Sequence, residues 1–338
     1  MGFDRTIVRQ DALEQLSQVD SLILDIDGVL IDVSESFPQA VQEAVHLYVQ
    51  TELGWQIDAP AVTKTELDHF KRAGGFNNDW ELAEAVVLFL LFKSLRHGVR
   101  RMSRIRRLPP TLEEFLSQVS AEGGGVGSAE KVALSQLEFR QRRDLARLWK
   151  RRLIIRLAQE LYAGPQFCSY LYGFDPELTT KTEGYLEREK ILVDPSLLKN
   201  RWRLGIVTGR TRKETGLVLA RTNLIHTIPE TFWMTDDDHP RKPHPLALKI
   251  VAEKLTVQVG VYVGDTVDDL KMVKDYQSQR HPADPVIFSC QVLTGHGGEK
   301  NRTLFLERGA DIVCPSLNDL LLLLHQWSSK GSEKRGSF

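Results

Sequence analysis

Two patterns of apolar residues alternate along the chain. Residues 21–25 (SLILD) form a short, wholly apolar run that ends in an acid and is followed by Gly28. Such a run predicts a strand buried on both faces and ending at a functional loop. Three further runs come late, at Leu204–Thr208, Val259–Gly264 and Pro285–Ser289. Between them the period changes: in PHPLALKIVAEKL (residues 243–255), Leu246, Ile250, Val251 and Leu255 recur three to four apart, the spacing of one helix face. Strands joined by crossover helices predict an α/β fold with a doubly wound parallel sheet, whose ligands sit at the carboxyl ends of the strands.

Residues 33–195 interrupt this alternation with long stretches rich in Leu, Ala, Glu, Gln and Arg. They predict a mostly α-helical domain inserted into the first. The expected division is therefore a discontinuous core of residues 1–32 and 196–328, an insert of 33–195, and a small, polar, disordered tail at 329–338. The run Ala85–Phe92 is well short of the roughly 20 residues that cross a bilayer and predicts a buried helix segment. The glycine-rich piece Ala121–Ser128 (AEGGGVGS) lacks the strand before it and the Lys-Ser/Thr after it that a phosphate-cradling loop needs, so a flexible connection is expected.

Composition narrows the class only a little. Forty-two per cent hydrophobic and 26% charged residues suit a globular protein, and a net charge of -1 gives no reason to expect a nucleic-acid or membrane partner. Cys168, Cys290 and Cys314 are far apart and show no CxxC spacing, so neither a disulfide framework nor a zinc site is indicated. With no apolar h-region at the N-terminus, a cytoplasmic location is expected.

Candidate chemistry collects at the strand ends. In LILDIDGVLID (residues 22–32), Asp25 and Asp27 stand two apart, so both face one pocket if the chain stays extended, while Gly28 permits a sharp turn. One carboxylate can attack phosphorus while its neighbour moves a proton. A calcium-type loop or a capped turn is the plainer alternative for Asp-x-Asp-Gly. In LGIVTGR (204–210), Thr208 and the backbone N–H of Gly209 can hold phosphate oxygens. In RKPHP (241–245), Lys242 can counter the charge of both phosphate and nucleophile, although a lone lysine before a helix is commonly just solvated. In VYVGDTVDD (261–269), Asp265 is placed to bind a hard cation such as Mg2+, and Asp268 and Asp269 also suit helix capping.

These four pieces, in this order, resemble the haloacid dehalogenase superfamily, in particular its phosphoglycolate-phosphatase-like branch with a helical C1 cap. The resemblance covers residues 20–36 and 197–325. It implies that Asp25 is the nucleophile and Asp27 the general acid/base, with Val29 completing the first motif. It further implies that Thr208, Gly209 and Lys242 bind phosphate. The Mg2+ would be held by Asp25, Asp265 and the carbonyl of Asp27, with Asp269 nearby. The insert is unusually long, with 183 positions from Asp25 to Thr208, so no family member's substrate contacts are carried over.

Specificity is expected from the insert. AGGFNNDW (73–80) reads either as a polyol or amine reader or as a capped turn between helices. Two basic stretches, Lys93–Arg107 and Arg140–Arg156, either steer an anionic substrate or form solvated helix faces. His97, His239 and His244 show no ligand spacing. The expected function is Mg2+-dependent hydrolysis of a small phosphomonoester metabolite through an aspartyl phosphate, by a monomer or homodimer. The alternatives are a phosphomutase on the same scaffold and a non-catalytic binding or regulatory protein.

Overall fold

A computed structural model describes residues 5–76, 78–198, 201–295 and 297–335. Contacts divide the chain into two compact units, Met1–Val33 with Lys190–Phe338, and Ser34–Glu189. The expected division lay at 32/33 and 195/196. The difference at the second join is the strand Lys190–Ile191, which pairs with Ile31–Asp32 and so belongs to the first unit.

The first unit is built on a seven-stranded sheet. Its strands are β1 (Ile7–Val8), β2 (Ser21–Leu24), β5 (Arg203–Val207), β6 (Trp233–Met234), β7 (Val259–Gly264), β8 (Val286–Val292) and β9 (Ile312–Cys314), with β3 (Ile31–Asp32) and β4 (Lys190–Ile191) forming the separate ribbon. The order across the sheet is β1-β9-β8-β7-β2-β5-β6, and every pair is parallel except β1 with β9. All four apolar runs singled out in the sequence are strands here. β2 sits between β5 and β7, buried at every residue, which is why its sequence shows no polar alternation. The helices Pro245–Lys254 and Val267–Gln279 cover one face. Leu248, Val251, Met272, Val273 and Tyr276 pack there onto Ile23, Val207 and Tyr262.

The last helix runs Leu317–Arg335, through most of the segment expected to be a disordered tail. Its first turns supply Leu317, Leu320, Leu321 and Leu324 to the core, and the helix nucleated there runs on to Arg335. Residues 336–338 of that expected tail lie outside the described residues.

The second unit is helical. Its centre is the Asp79–His97 helix, buried on nearly all sides and packed against Phe37–Leu47, Gly125–Ser135, Phe139–Leu148 and Arg151–Tyr172. Burial all round explains why Ala85–Phe92 shows no polar face. Phe37 stacks on Tyr162 at 4.2 Å between ring centroids, and Trp80 meets both rings edge-on at 5.5 Å.

The glycine-rich piece is not a loose connection. Gly125–Ser135 is a helix, and the Gly125 N–H donates to the carbonyl oxygen of Gly74 at 3.1 Å. A Cβ at Gly124 would lie 2.5 Å from that oxygen, and one at Gly75 would lie 2.6 Å from the Gly125 nitrogen. The glycines are there so that two backbones can touch. Sequence alone could not separate this from flexibility, since the partner segment lies some 50 residues away.

Among the described residues, no helix is long and apolar enough to cross a membrane.

Candidate active site

The parallel strands β2, β5 and β7 end on the same side of the sheet, and their ends bring the sequence candidates together. Asp25 directly follows β2. Its N–H donates to the Val263 carbonyl at 2.9 Å, and its Oδ1 accepts the Ile26 N–H at 2.7 Å, so the carboxylate is 4% exposed yet fixed. Its Oδ2 lies 2.6 Å from Lys242 Nζ. Lys242 is just as close, 2.6 Å, to Asp269 Oδ1. One buried ammonium therefore bridges two buried carboxylates.

Asp269 serves this bridge and a helix cap at once. It is the N3 residue of a capping box with Thr266 on the Val267–Gln279 helix, and its Oδ2 accepts from the Thr266 N–H at 3.0 Å and the Thr266 hydroxyl at 2.5 Å. Its Oδ1 also accepts the Tyr262 hydroxyl at 2.5 Å. The capping role and the site role, alternatives in the sequence, are both filled by this residue. Tyr262 was not legible as a site residue, because an aromatic in an apolar strand reads as core.

Asp265 follows β7. A Cβ on Gly28 would fall 2.4 Å from Asp265 Oδ2, and one on Gly295 1.7 Å from it, so the carboxylate lies against two stretches of bare backbone. Gly28 also has φ +70°, a conformation that favours glycine, and its N–H closes a turn onto the Ile31 carbonyl at 2.8 Å. The Thr294 hydroxyl donates to the Gly28 carbonyl, tying the loop after β8 to this turn. Thr294 and Gly295 carried no signal in the sequence, since they lie beyond the expected strand end at Ser289.

Carboxylate oxygens of Asp25, Asp265 and Asp269 all lie within 4.8 Å of one another. The Asp27 carboxylate is not part of that cluster. It accepts from Arg210 Nε at 2.7 Å, and Arg210 is itself 2% exposed. The cation closing LGIVTGR is thus the partner of the second aspartate, a pairing that a separation of 183 positions conceals. Thr208 follows β5, which pairs with β2 through Leu24 and Ile206. Its hydroxyl oxygen accepts the Arg210 N–H at 3.3 Å, which leaves the hydroxyl hydrogen to donate elsewhere.

Burial dominates the electrostatics. It pushes the Asp25 carboxyl up to about 6; Lys242 opposes this, and the nearby charges of Asp269 and Asp27 add to it. Burial acts in the same direction on Asp269, but Lys242 and the hydrogen bonds from Thr266 and Tyr262 outweigh it and hold that carboxyl below its ordinary value. For Lys242, burial favours the neutral amine, and the two carboxylates overcome it and keep the ammonium charged.

Three buried carboxylates against one ammonium leave an excess of negative charge in a low-dielectric site, and all the donors are hard oxygens. That chemistry fits a small divalent cation. The excess does not extend to Asp27, whose charge Arg210 already balances.

The other sequence candidates resolve differently. In 73–80, Asn78 caps the Asp79–His97 helix, accepting from Trp80 N–H at 2.9 Å and Glu81 N–H at 3.2 Å, and Asp79 pairs with Lys71 at 2.9 Å; Asn77 lies outside the described residues. The capped-turn alternative describes this piece. Several cations of the basic stretches are engaged in ion pairs inside their own unit: Arg101 with Asp58 at 2.6 Å, Arg106 with Glu66 at 2.8 Å, Arg151 with Glu84 at 2.8 Å and Arg156 with Glu160 at 3.0 Å. His97 bonds to the Pro109 carbonyl oxygen at 2.7 Å, and His244 Nδ1 accepts the Leu246 N–H at 3.2 Å as a helix cap.

Residues 186–279 match the family model of haloacid dehalogenase-like hydrolases. Over 261 residues the chain is 26% identical to an imidazoleglycerol-phosphate dehydratase from Phytophthora nicotianae, which covers 75% of this chain and 41% of that protein. The chain thus spans about two fifths of that relative's length. Among solved structures it is similar to phosphatase Tt82 from Thermococcus thioreducens, with 25% identity, a TM-score of 0.50, and 79% of this chain and 91% of the other covered. A predicted phosphoglycolate phosphatase from Haemophilus somnus shares the fold at 12% identity and a TM-score of 0.50, covering 90% and 98% of the two chains. An X-ray structure from the Northeast Structural Genomics Consortium shares it at 19% identity and a TM-score of 0.57, covering 91% and 98%.

Proposed function

We propose that this protein, which belongs to the haloacid dehalogenase superfamily, is a Mg2+-dependent phosphatase acting on a small phosphomonoester. The observation that carries this reading is the bridge Asp25–Lys242–Asp269, with Asp265 completing the acidic cluster. It holds a carboxylate, a fixed cation and an excess of negative charge at one set of strand ends.

Asp27 first takes up a proton from solvent; Asp25 then attacks phosphorus, the bond from phosphorus to the ester oxygen breaks, and the leaving oxygen takes that proton, which returns Asp27 to the carboxylate paired with Arg210. A water then gives a proton to Asp27 and attacks the aspartyl phosphate, releasing phosphate and restoring Asp25. Arg210 holds Asp27 in position. Thr208 and the Gly209 N–H bind phosphoryl oxygens, and Lys242 neutralises them. Asp25 and Asp265 would hold Mg2+, with the Asp27 carbonyl as the resemblance implies; when bound, it would offset the charge of the phosphoryl group. In this reading Asp269 is a positioning residue for Lys242, because its oxygens already accept from Lys242, Tyr262 and Thr266.

Substrate choice belongs to the insert in this proposal. The Phytophthora relative is named for imidazoleglycerol phosphate, so phosphomonoesters carrying an imidazole come first in a screen, followed by phosphoglycolate and sugar phosphates.

The test is turnover of an aryl phosphate and of that panel by the purified protein. Activity should require Mg2+, vanish with EDTA, and fall at least about 1,000-fold in Asp25→Asn, as expected for loss of a nucleophile. An isomerised phosphate product would make the protein a phosphomutase, and inactivity across the panel would favour a binding role.

A further inference from the structure

The turn that follows β2 is closed from within. The Ile26 carbonyl oxygen accepts the N–H groups of Val29, Leu30 and Ile31 at 3.2, 2.8 and 3.1 Å, and the Ile31 carbonyl oxygen accepts that of Gly28. The amides of residues 28–31 are therefore all spent inside the turn. It reaches outwards through a carbonyl, that of Gly28, which accepts the Thr294 hydroxyl.

Thr294 is itself held on both sides. The Leu293 N–H lies 3.2 Å from the carbonyl oxygens of both Cys314 and Pro315, where β9 ends, and the Gly298 N–H donates to the Gly295 carbonyl oxygen at 3.1 Å. The Thr294 hydroxyl thus grips the β2 turn from a fixed base. Asp265 stands between turn and loop. A side chain at Gly28 or at Gly295 would run into its carboxylate, and a Cβ on Gly28 would come within 2.8 Å of Gly295 Cα. Gly295 has no positive φ, so space rather than backbone conformation demands glycine there.

We propose that Thr294 and Gly295 are positioning residues for Mg2+. The Thr294–Gly28 bond sets the width of the slot in which Asp265 stands, and the bare backbone of Gly295 lets the carboxylate in. The same bond fixes the peptide next to the Asp27 carbonyl, which the resemblance assigns to the ion. A carboxylate already confined gives up little freedom on taking a cation, and groups that orient a metal ligand from one step away commonly change metal affinity about 10- to 100-fold. The inference rests on the metal reading of the acidic cluster and adds to it two residues that hold no ion themselves.

Mg2+ binding read without turnover tests this: the melting temperature of the full chain is followed against MgCl2 concentration, with NaCl at equal ionic strength as reference. Thr294→Val keeps the shape of the side chain and deletes the hydroxyl. The MgCl2 concentration that gives a set stabilisation should rise about 10-fold in it, and Thr294→Ser, which restores the donor, should return it to the wild-type value. Gly295→Ala fills the slot and should abolish the Mg2+ response, which keeps the test decisive if Thr294→Val does not fold. A merely structural role would lower the melting temperature of Thr294→Val in NaCl and leave its Mg2+ response as in the wild type. That result overturns the proposal, and so does a Gly295→Ala variant that responds like the wild type. A wild type that MgCl2 does not stabilise overturns the metal reading and this inference with it.

Discussion

At the scale of single residues, the candidate site is a study in how one buried cation is kept in place. Lys242 has two acceptors, and Asp269 is held on its other side by Tyr262 and Thr266. Tyr262→Phe deletes one donor to a buried carboxylate with little change of volume. It should cost about 1–2 kcal/mol of stability in chemical denaturation, because a charged acceptor loses a hydrogen bond. Asp269→Asn should leave Lys242 with Asp25 as its one anionic partner, and kcat should fall by about 10- to 100-fold while the protein remains folded. Steady-state kinetics of the purified variant check this, and an unchanged kcat would remove Asp269 from the role of positioning the lysine.

At the scale of elements, caps and strand ends do the placing. The capping box at Thr266 orients Asp269 as well as starting the Val267–Gln279 helix, so Thr266→Ala should cost about 1–2 kcal/mol, read by urea unfolding. Away from the site, Asp311 joins β9 to β8 and to that same helix. It accepts the Ser289 N–H at 2.9 Å, the Ser289 hydroxyl at 2.8 Å, Lys274 Nζ at 2.9 Å and Gln277 Nε2 at 2.8 Å. Burial alone would raise its carboxyl, but these bonds outweigh it and hold the group below its ordinary value. A carboxyl depressed by folding adds stability that is present above its unfolded pKa and lost as pH falls through the lower folded one. Asp311→Asn should therefore be less stable than the wild type by about 2 kcal/mol at neutral pH, and the gap should narrow as pH falls below the ordinary aspartate value of 3.8 and through the lower folded one.

Legibility in the sequence followed burial. The runs at residues 21–25 and 259–264 were readable because strands buried on both faces are apolar throughout. β1, β3, β4 and β6 have two residues each and no periodicity to detect. Asp25, Asp265 and Lys242 stood out as polar groups beside apolar strands or helices. Tyr262 and Gly295 did not, because their contributions are a hydroxyl at the end of a core aromatic and the absence of a side chain.

At the scale of the whole molecule, the two units are built by different means. The first is a sheet with polar groups gathered at one end, and the second is a set of helices around the Asp79–His97 helix. The excess charge at the acidic cluster should make the protein respond to divalent cations even without substrate. Mg2+ at ten times its Kd should stabilise the fold by about 1.4 kcal/mol, and Asp265→Asn should blunt that gain; calorimetry with and without the ion measures both. A melting curve indifferent to Mg2+ would contradict the metal assignment without reference to turnover.

Sharing one lysine between two acids has a consequence for the reaction cycle. In the proposed cycle, phosphorylation of Asp25 would remove its carboxylate charge, and a lysine that depended on it alone would drift. Asp269 takes no part in bond making, so it would anchor the ammonium through both half-reactions, and the covalent intermediate would meet a counter-ion already standing where it is required.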